Sequence, residues 1–164
     1  MGKDEWLPLV DEEGNITGKE LRSVCHNGES MLLHPVVHLH IFNEDGELFL
    51  QLRASHKDIQ PGVWDTAVGG HVDPGENIEE ALFREAREEV GLVGFEYNLL
   101  AKYLWESDME RELVHSYRTI SNKELTIDKD EVDEGRFWTI EEIKSKLGHG
   151  VFTPNFEKEF GLLT

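Results

Sequence analysis

The chain has 164 residues, 38% hydrophobic and 30% charged, which suits one globular domain with its own core. Its 34 acids against 16 bases leave a net charge of −18, which argues against a nucleic-acid polymer as partner, because such binding rests on basic patches. The single cysteine, Cys25, excludes an internal disulfide, and no stretch approaches a membrane span or a signal run, so the expectation is a cytoplasmic protein off the membrane.

Trp6 to Val10 reads as a short strand, ended by the turn cluster at 11–15. The segment 16–27 follows, closed by Gly28. HPVVHLHIF, from His34 to Phe42, is β-branched and partly alternating, so it reads as a strand. Residues 43–46 form a hairpin loop, and 47–53 returns with apolar residues on both faces, as in a strand buried on both sides. After a loop over 54–62, Val63 to Val68 is a strand, and Gly69-Gly70 leads on to a turn at Pro74-Gly75. Asn77 with Glu80 reads as a helix N-cap pair and Gly91 as the C-cap, with Ile78, Leu82, Ala86 and Val90 on one apolar stripe between them. Two strands, Phe95 to Trp105 and Arg111 to Ile120, precede a short segment at 124–128 and an acidic loop to Glu134. Phe137-Trp138 is a strand running into Thr139, which with Glu142 makes a second capping box for a helix to Leu147. Thr153-Pro154-Asn155 opens a terminal helix, 156–163. No repeat or linker interrupts this order. It predicts one α+β domain over 1–164, a mixed sheet with helices on both faces.

The segment from Gly70 to Leu92 holds glutamates at 76, 79, 80, 85, 88 and 89. Glu85, Glu88 and Glu89 crowd within little more than one turn, which is repulsive unless a cation sits among them. Glu85 and Glu89 flank the apolar stripe and point toward the protein body, where a carboxylate needs a partner. A solvated acidic face steadied by Arg84 and Arg87 is the plainer alternative. Oxygen-only ligands favour a hard cation, Mg²⁺ or Mn²⁺.

The spacing is more specific. Gly70, five residues, Glu76, seven residues, then Arg84-Glu85, Ala86, Arg87, Glu88-Glu89, Val90, Gly91, Leu92 resembles the Nudix box, G-x5-E-x7-R-E-U-x-E-E-x-G-U with U apolar. The resemblance implies an α/β/α sandwich and a loop–helix–loop that binds divalent metal and a substrate diphosphate. It implies hydrolysis of a nucleoside diphosphate linked to another moiety, or a similar small molecule. Glu85, Glu88 and Glu89 would hold the metal, Arg84 would anchor a box glutamate, and Glu88, Glu131 or Glu134 would take a proton from the attacking water. Gly70 would give the tight backbone of the substrate loop.

Over residues 8 to 140, LVDEEGNITGKELRSVCH, LHPVVHLHIFNEDGELFLQLRASHK and PGVWDTAVGGH are similar to isopentenyl-diphosphate isomerase and its hydrolase relatives. By that resemblance His26, His34, His71, Glu110 and Glu112 match the ligands of a second metal, for which mixed imidazole and carboxylate suit Zn²⁺, Mn²⁺ or Fe²⁺. Arg22, Arg53 and Lys57 match diphosphate-binding bases. Two departures favour a hydrolase over the isomerase, which stays the alternative. The isomerase thiol falls where this chain has Gly69, leaving a space that water could enter, and the glutamate cluster is complete here. A homodimer is compatible with all of this.

Overall fold

The computed structural model describes residues 4–54 and 62–163. In chain order the strands are β1 (Trp6–Val10), β2 (Ile16–Leu21), β3 (Leu33–Phe42), β4 (Leu48–Arg53), β5 (Trp64–Thr66), β6 (Val68–His71), β7 (Asn98–Glu106), β8 (Arg111–Ile120) and β9 (Val132–Trp138). The helices are α1 (Arg22–Cys25), α2 (Ile78–Val90), α3 (Ile140–Lys146) and α4 (Pro154–Leu163).

β3 is the axis of the larger sheet. It pairs in parallel with β8 along its whole length, and β8 pairs antiparallel with β7. Its other edge is shared. β4 meets it only at Phe42↔Leu48 and then diverges, and β6 takes over from Leu39↔Val68 to Val36↔His71. β4 in turn carries β5 on one edge and β9 on the other. The sheet is therefore mixed and splits below the β3–β4 corner, which opens a cleft lined from both branches. The hairpin β1–β2 forms a separate two-stranded sheet, joined to the body by Val10 packing with Leu33 and Leu113.

Strand alternation sorts side chains between two helix layers. Odd residues of β3 (Val37, Leu39, Ile41) pack with Phe49 against Ala81, Leu82, Ala86 and Val90 of α2. On the opposite side Phe42, Leu48, Leu50 and Trp138 pack against Ile143 of α3 and Phe156 and Phe160 of α4. β4 is buried on both faces, as its apolar pattern predicted, and the architecture is the expected α/β/α sandwich. Among the described residues no helix is long and apolar enough to cross a membrane.

Several boundaries differ from expectation: the strand expected over 63–68 splits into β5 and β6, and β7 begins at Asn98 rather than Phe95. Gly69 and Gly70 lie within β6 rather than after a strand, because ladder bonds to β3 hold backbone that has no side-chain preference for extension. The acidic loop ends at Val132, where pairing with β4 begins, with Asp133 and Glu134 exposed. Segment 16–27 divides into β2 and the single turn of α1, which buries Cys25.

Phe156 is fully buried between Phe152, Phe160 and His40. Phe156→Ala should lower unfolding free energy by about 3–5 kcal/mol through the cavity it leaves. Urea denaturation of the two proteins checks this.

Candidate active site

Local chemistry first fixes α2. The Asn77 side chain accepts from the Glu80 amide at 2.8 Å and Glu80 returns the bond at 3.0 Å, so both expected halves of the capping box form. Gly91 ends the helix in the left-handed region, at φ 69°. With the stripe Leu82, Ala86 and Val90 buried, the glutamates are placed by helical geometry alone. Glu85 lies at the helix edge with a side chain 14% exposed, Glu88 turns outward at 52%, and Glu89 faces β6.

Arg84 holds this wall together. Its guanidinium grips Glu76 through two bonds, Nε to Oε2 at 2.8 Å and Nη2 to Oε1 at 3.0 Å. Nη1 reaches Glu85 at 2.7 Å and Glu88 at 3.2 Å, and Nη2 also donates to the His71 carbonyl at 2.9 Å. The planar fork thereby ties the turn before α2, the helix and the end of β6 to one another. Glu76 is a member the sequence reading left without a role, although its place in the spacing marked it.

Glu89 accepts from the Gly69 amide at 3.0 Å. Burial, with the Glu85 charge beside it, pushes its carboxyl well above the usual range. Burial also raises Glu85, against the pull of Arg84. Gly70 serves a different purpose from the one expected. A Cβ there would overlap the Glu85 carboxylate, so the glycine makes room for a metal-ligating candidate rather than supplying an unusual backbone angle.

A second cluster forms at the other end of the cleft. His26 comes from the C-cap of α1, His34 from β3, His71 from the end of β6 and Glu110 from the turn before β8. One ligand atom from each lies within 4.8 Å of the others. His26 Nε2 and Glu110 Oε2 form a close ion pair at 2.6 Å, and His34 Nε2 is buried with no hydrogen bond. His34 Nδ1 donates to the Leu32 carbonyl at 2.9 Å, which leaves Nε2 as a bare lone pair aimed into the cluster. Burial and the neighbouring imidazoles hold His71 neutral, with its pKa down to about 3. A buried, unpartnered lone pair on His34, with His71, His26 and a carboxylate converging on it, fits a divalent ion. Glu112, the fifth expected member, is 3.9 Å from His34 Nε2 and lies beside the four-residue group, its pKa pushed up to about 8 by burial and by Glu110.

Both clusters line one cleft of about 470 Å³. Arg22 and Arg53 line it too, Arg22 beside Glu5 at 3.9 Å and Arg53 beside Asp65 at 3.5 Å. Lys57 lies outside the described residues. Glu131 lines a branch of the cleft together with Gln51, Glu85, Glu88 and Glu89. Glu134 stands opposite Leu52 in β9 and does not line the cleft. Gly69 is exposed on the cleft wall, with the space expected there. The position of a Cβ there is 3.5 Å from the His38 ring, a residue the sequence reading placed only within a strand.

The NUDIX domain model matches residues 32–156. The chain belongs to the Nudix family and is a Nudix hydrolase, an enzyme of the class that cleaves pyrophosphate bonds in small molecules, generally with divalent metal. An uncharacterized Nudix hydrolase of Listeria monocytogenes is 33% identical over 161 residues, covering 93% of this chain and 90% of that protein. A crystal structure from Deinococcus radiodurans superposes with TM-score 0.79 at 24% identity, over 96% of this chain and 98% of that one. An isopentenyl-diphosphate Delta-isomerase of Kocuria rhizophila is 40% identical over 88 residues, 54% of this chain and 48% of that protein.

Arg84→Ala should leave Glu76 and Glu85 half-buried without their cation, and so lower unfolding free energy by about 2 kcal/mol. The loss should be partly relieved by millimolar Mg²⁺ or Mn²⁺, and thermal melts with and without the ion measure both effects.

Proposed function

We propose that this chain hydrolyses a diphosphate linkage in a small molecule, with divalent metal held by Glu85, Glu88 and Glu89. The observation that carries the reading is the wall of α2, where a buried pair of carboxylates is kept close by Arg84 and by the room Gly70 leaves. Bound Mg²⁺ or Mn²⁺ would neutralise diphosphate oxygens and make an attacking water easier to deprotonate.

The remaining roles belong to the chain itself. Arg84 spends its donors on the glutamates and the His71 carbonyl, so it positions the wall and does not grip substrate. Glu131 is the favoured proton acceptor. It lines the same branch of the cleft as Glu85, Glu88 and Glu89, and Glu88 is the other candidate. A water oxygen attacks phosphorus, its proton passes to the carboxylate, and the bond from phosphorus to the bridging oxygen breaks. Arg22 and Arg53 supply positive charge for the diphosphate.

Isomerisation of isopentenyl diphosphate is the second reading. It is favoured by the partial likeness to a named isomerase and by the His26, His34, His71 and Glu110 cluster, which would take Zn²⁺, Mn²⁺ or Fe²⁺. Against it stands Gly69, which offers no thiol for proton transfer to an alkene. The histidine cluster serves the hydrolase reading equally, as a second metal site at the far end of the same cleft.

Glu89→Gln and Glu131→Gln should each lower kcat by about 10²-fold or more with the fold retained, because each removes charge at constant shape. Only Glu89→Gln should also weaken Mn²⁺ binding. Phosphate release across nucleotide sugars, dinucleotides, nucleoside triphosphates and prenyl diphosphates supplies the assay, and full turnover in both variants would refute the assignment. Conversion of isopentenyl diphosphate by the unaltered protein, without phosphate release, would favour the isomerase.

A further inference from the structure

β3 places His34, Val36, His38, His40 and Phe42 on one face, and the two central histidines meet a single acid from α4. Glu159 is fully buried. Its Oε1 receives His40 Nε2 at 2.8 Å and the Ser116 hydroxyl, and its Oε2 receives His38 Nδ1 at 2.5 Å and the Tyr103 hydroxyl. A carboxylate with four such donors is ionised, and a buried anion requires a compensating cation.

Geometry decides which ring carries that charge. His40 already directs Nε2 to Glu159, and its Nδ1 is buried without a partner. A second proton on His40 would strand an N–H donor in the core. His38 directs Nδ1 to Glu159, while its other nitrogen lies beside Gly69 on the cleft wall, 3.9 Å from where a Cβ would stand. A second proton there meets the cleft and costs no buried donor. Lys158 sits over the Tyr103 ring, 5.1 Å from its centre.

We propose that His38 is a substrate-binding imidazolium, held charged by Glu159 and offering its Nε2–H to an anionic oxygen of the substrate diphosphate between the two carboxylate-bearing ends of the cleft. The inference rests on the diphosphohydrolase reading and adds a residue that lies outside the box. The charges facing the ring agree with it. Against the cost of burial, Glu159 holds the His38 pKa up at about 9, with Glu112 and Asp65 adding to its pull. The role matters because cations are scarce here. Arg84 is engaged with the box glutamates and Arg22 and Arg53 stand beside acids, in a chain of net charge −18. The ring is also rigid, since its far nitrogen is pinned to a helix. It therefore offers a preorganised donor on the cleft wall beside Gly69.

Titration of the whole protein with methylenediphosphonate, a non-hydrolysable diphosphate, in excess Mg²⁺ tests this. His38→Ala should weaken diphosphonate binding about tenfold or more, the scale of one charge-assisted hydrogen bond, with Mg²⁺ binding alone unchanged. In the unaltered protein at pH 7.5, ¹⁵N imidazole shifts should show both His38 nitrogens protonated. Glu159→Gln, where it folds, should return the ring to one proton and reproduce the loss. Unchanged diphosphonate binding in His38→Ala, or a singly protonated His38 in the unaltered protein, would overturn the inference while leaving the hydrolase reading intact. Failure of the unaltered protein to bind the diphosphonate at all would overturn both.

Discussion

The guanidinium of Arg84 is the contact on which the cleft depends. Three of its nitrogens reach three glutamates and a backbone carbonyl, in a chain where acids outnumber bases by more than two to one. Carboxylates gathered for metal binding repel one another whenever the metal is away, and a fixed cation at their rim offsets that repulsion. A flexible ammonium could neutralise the charge but could not set the angle between Glu76 and Glu85, which takes the planar fork. The turn at 73–76, α2 and the end of β6 are thus oriented by one side chain before any ligand arrives.

The strand β3 performs the complementary task. Its odd residues are aliphatic and anchor α2 from beneath, while its even residues are mostly polar and face α4 or the cleft. A single extended segment therefore divides the molecule into an apolar layer that fixes the box and a polar row running from the His34 cluster to the Glu159 core. Val36 and His38 of that row line the cleft, while His34 and His40 are fully buried.

Burying a fully ionised acid under α4 is costly unless its donors all converge, and they do so from β3, β7 and β8 together. The same set ties the terminal helix to the sheet at the level of the cleft. Packing of Phe156 and Phe160 supplies most of the adhesion of α4, and the polar contact fixes its register.

Much of this was legible in the residues alone. The α2 boundaries, both capping boxes, the buried stripe and the two-faced burial of β4 follow from short-range periodicity and local hydrogen bonding, which a linear string carries in full. The spacing of the box and the histidine–glutamate set likewise marked residues that converge. The roles of Gly70 and His38 were not legible, because each is defined by an atom far along the chain, the Glu85 carboxylate in one case and Glu159, 121 residues on, in the other. Nor could the string show that β6 extends through Gly69 and Gly70, since two glycines carry no preference for the ladder that holds them. Local chemistry thus determined the elements and the acidic character of the box. Tertiary structure alone decided that the His38 ring stands beside Gly69 and that Glu131 lines the cleft with the box glutamates, because those outcomes depend on strand register and on where the sheet divides.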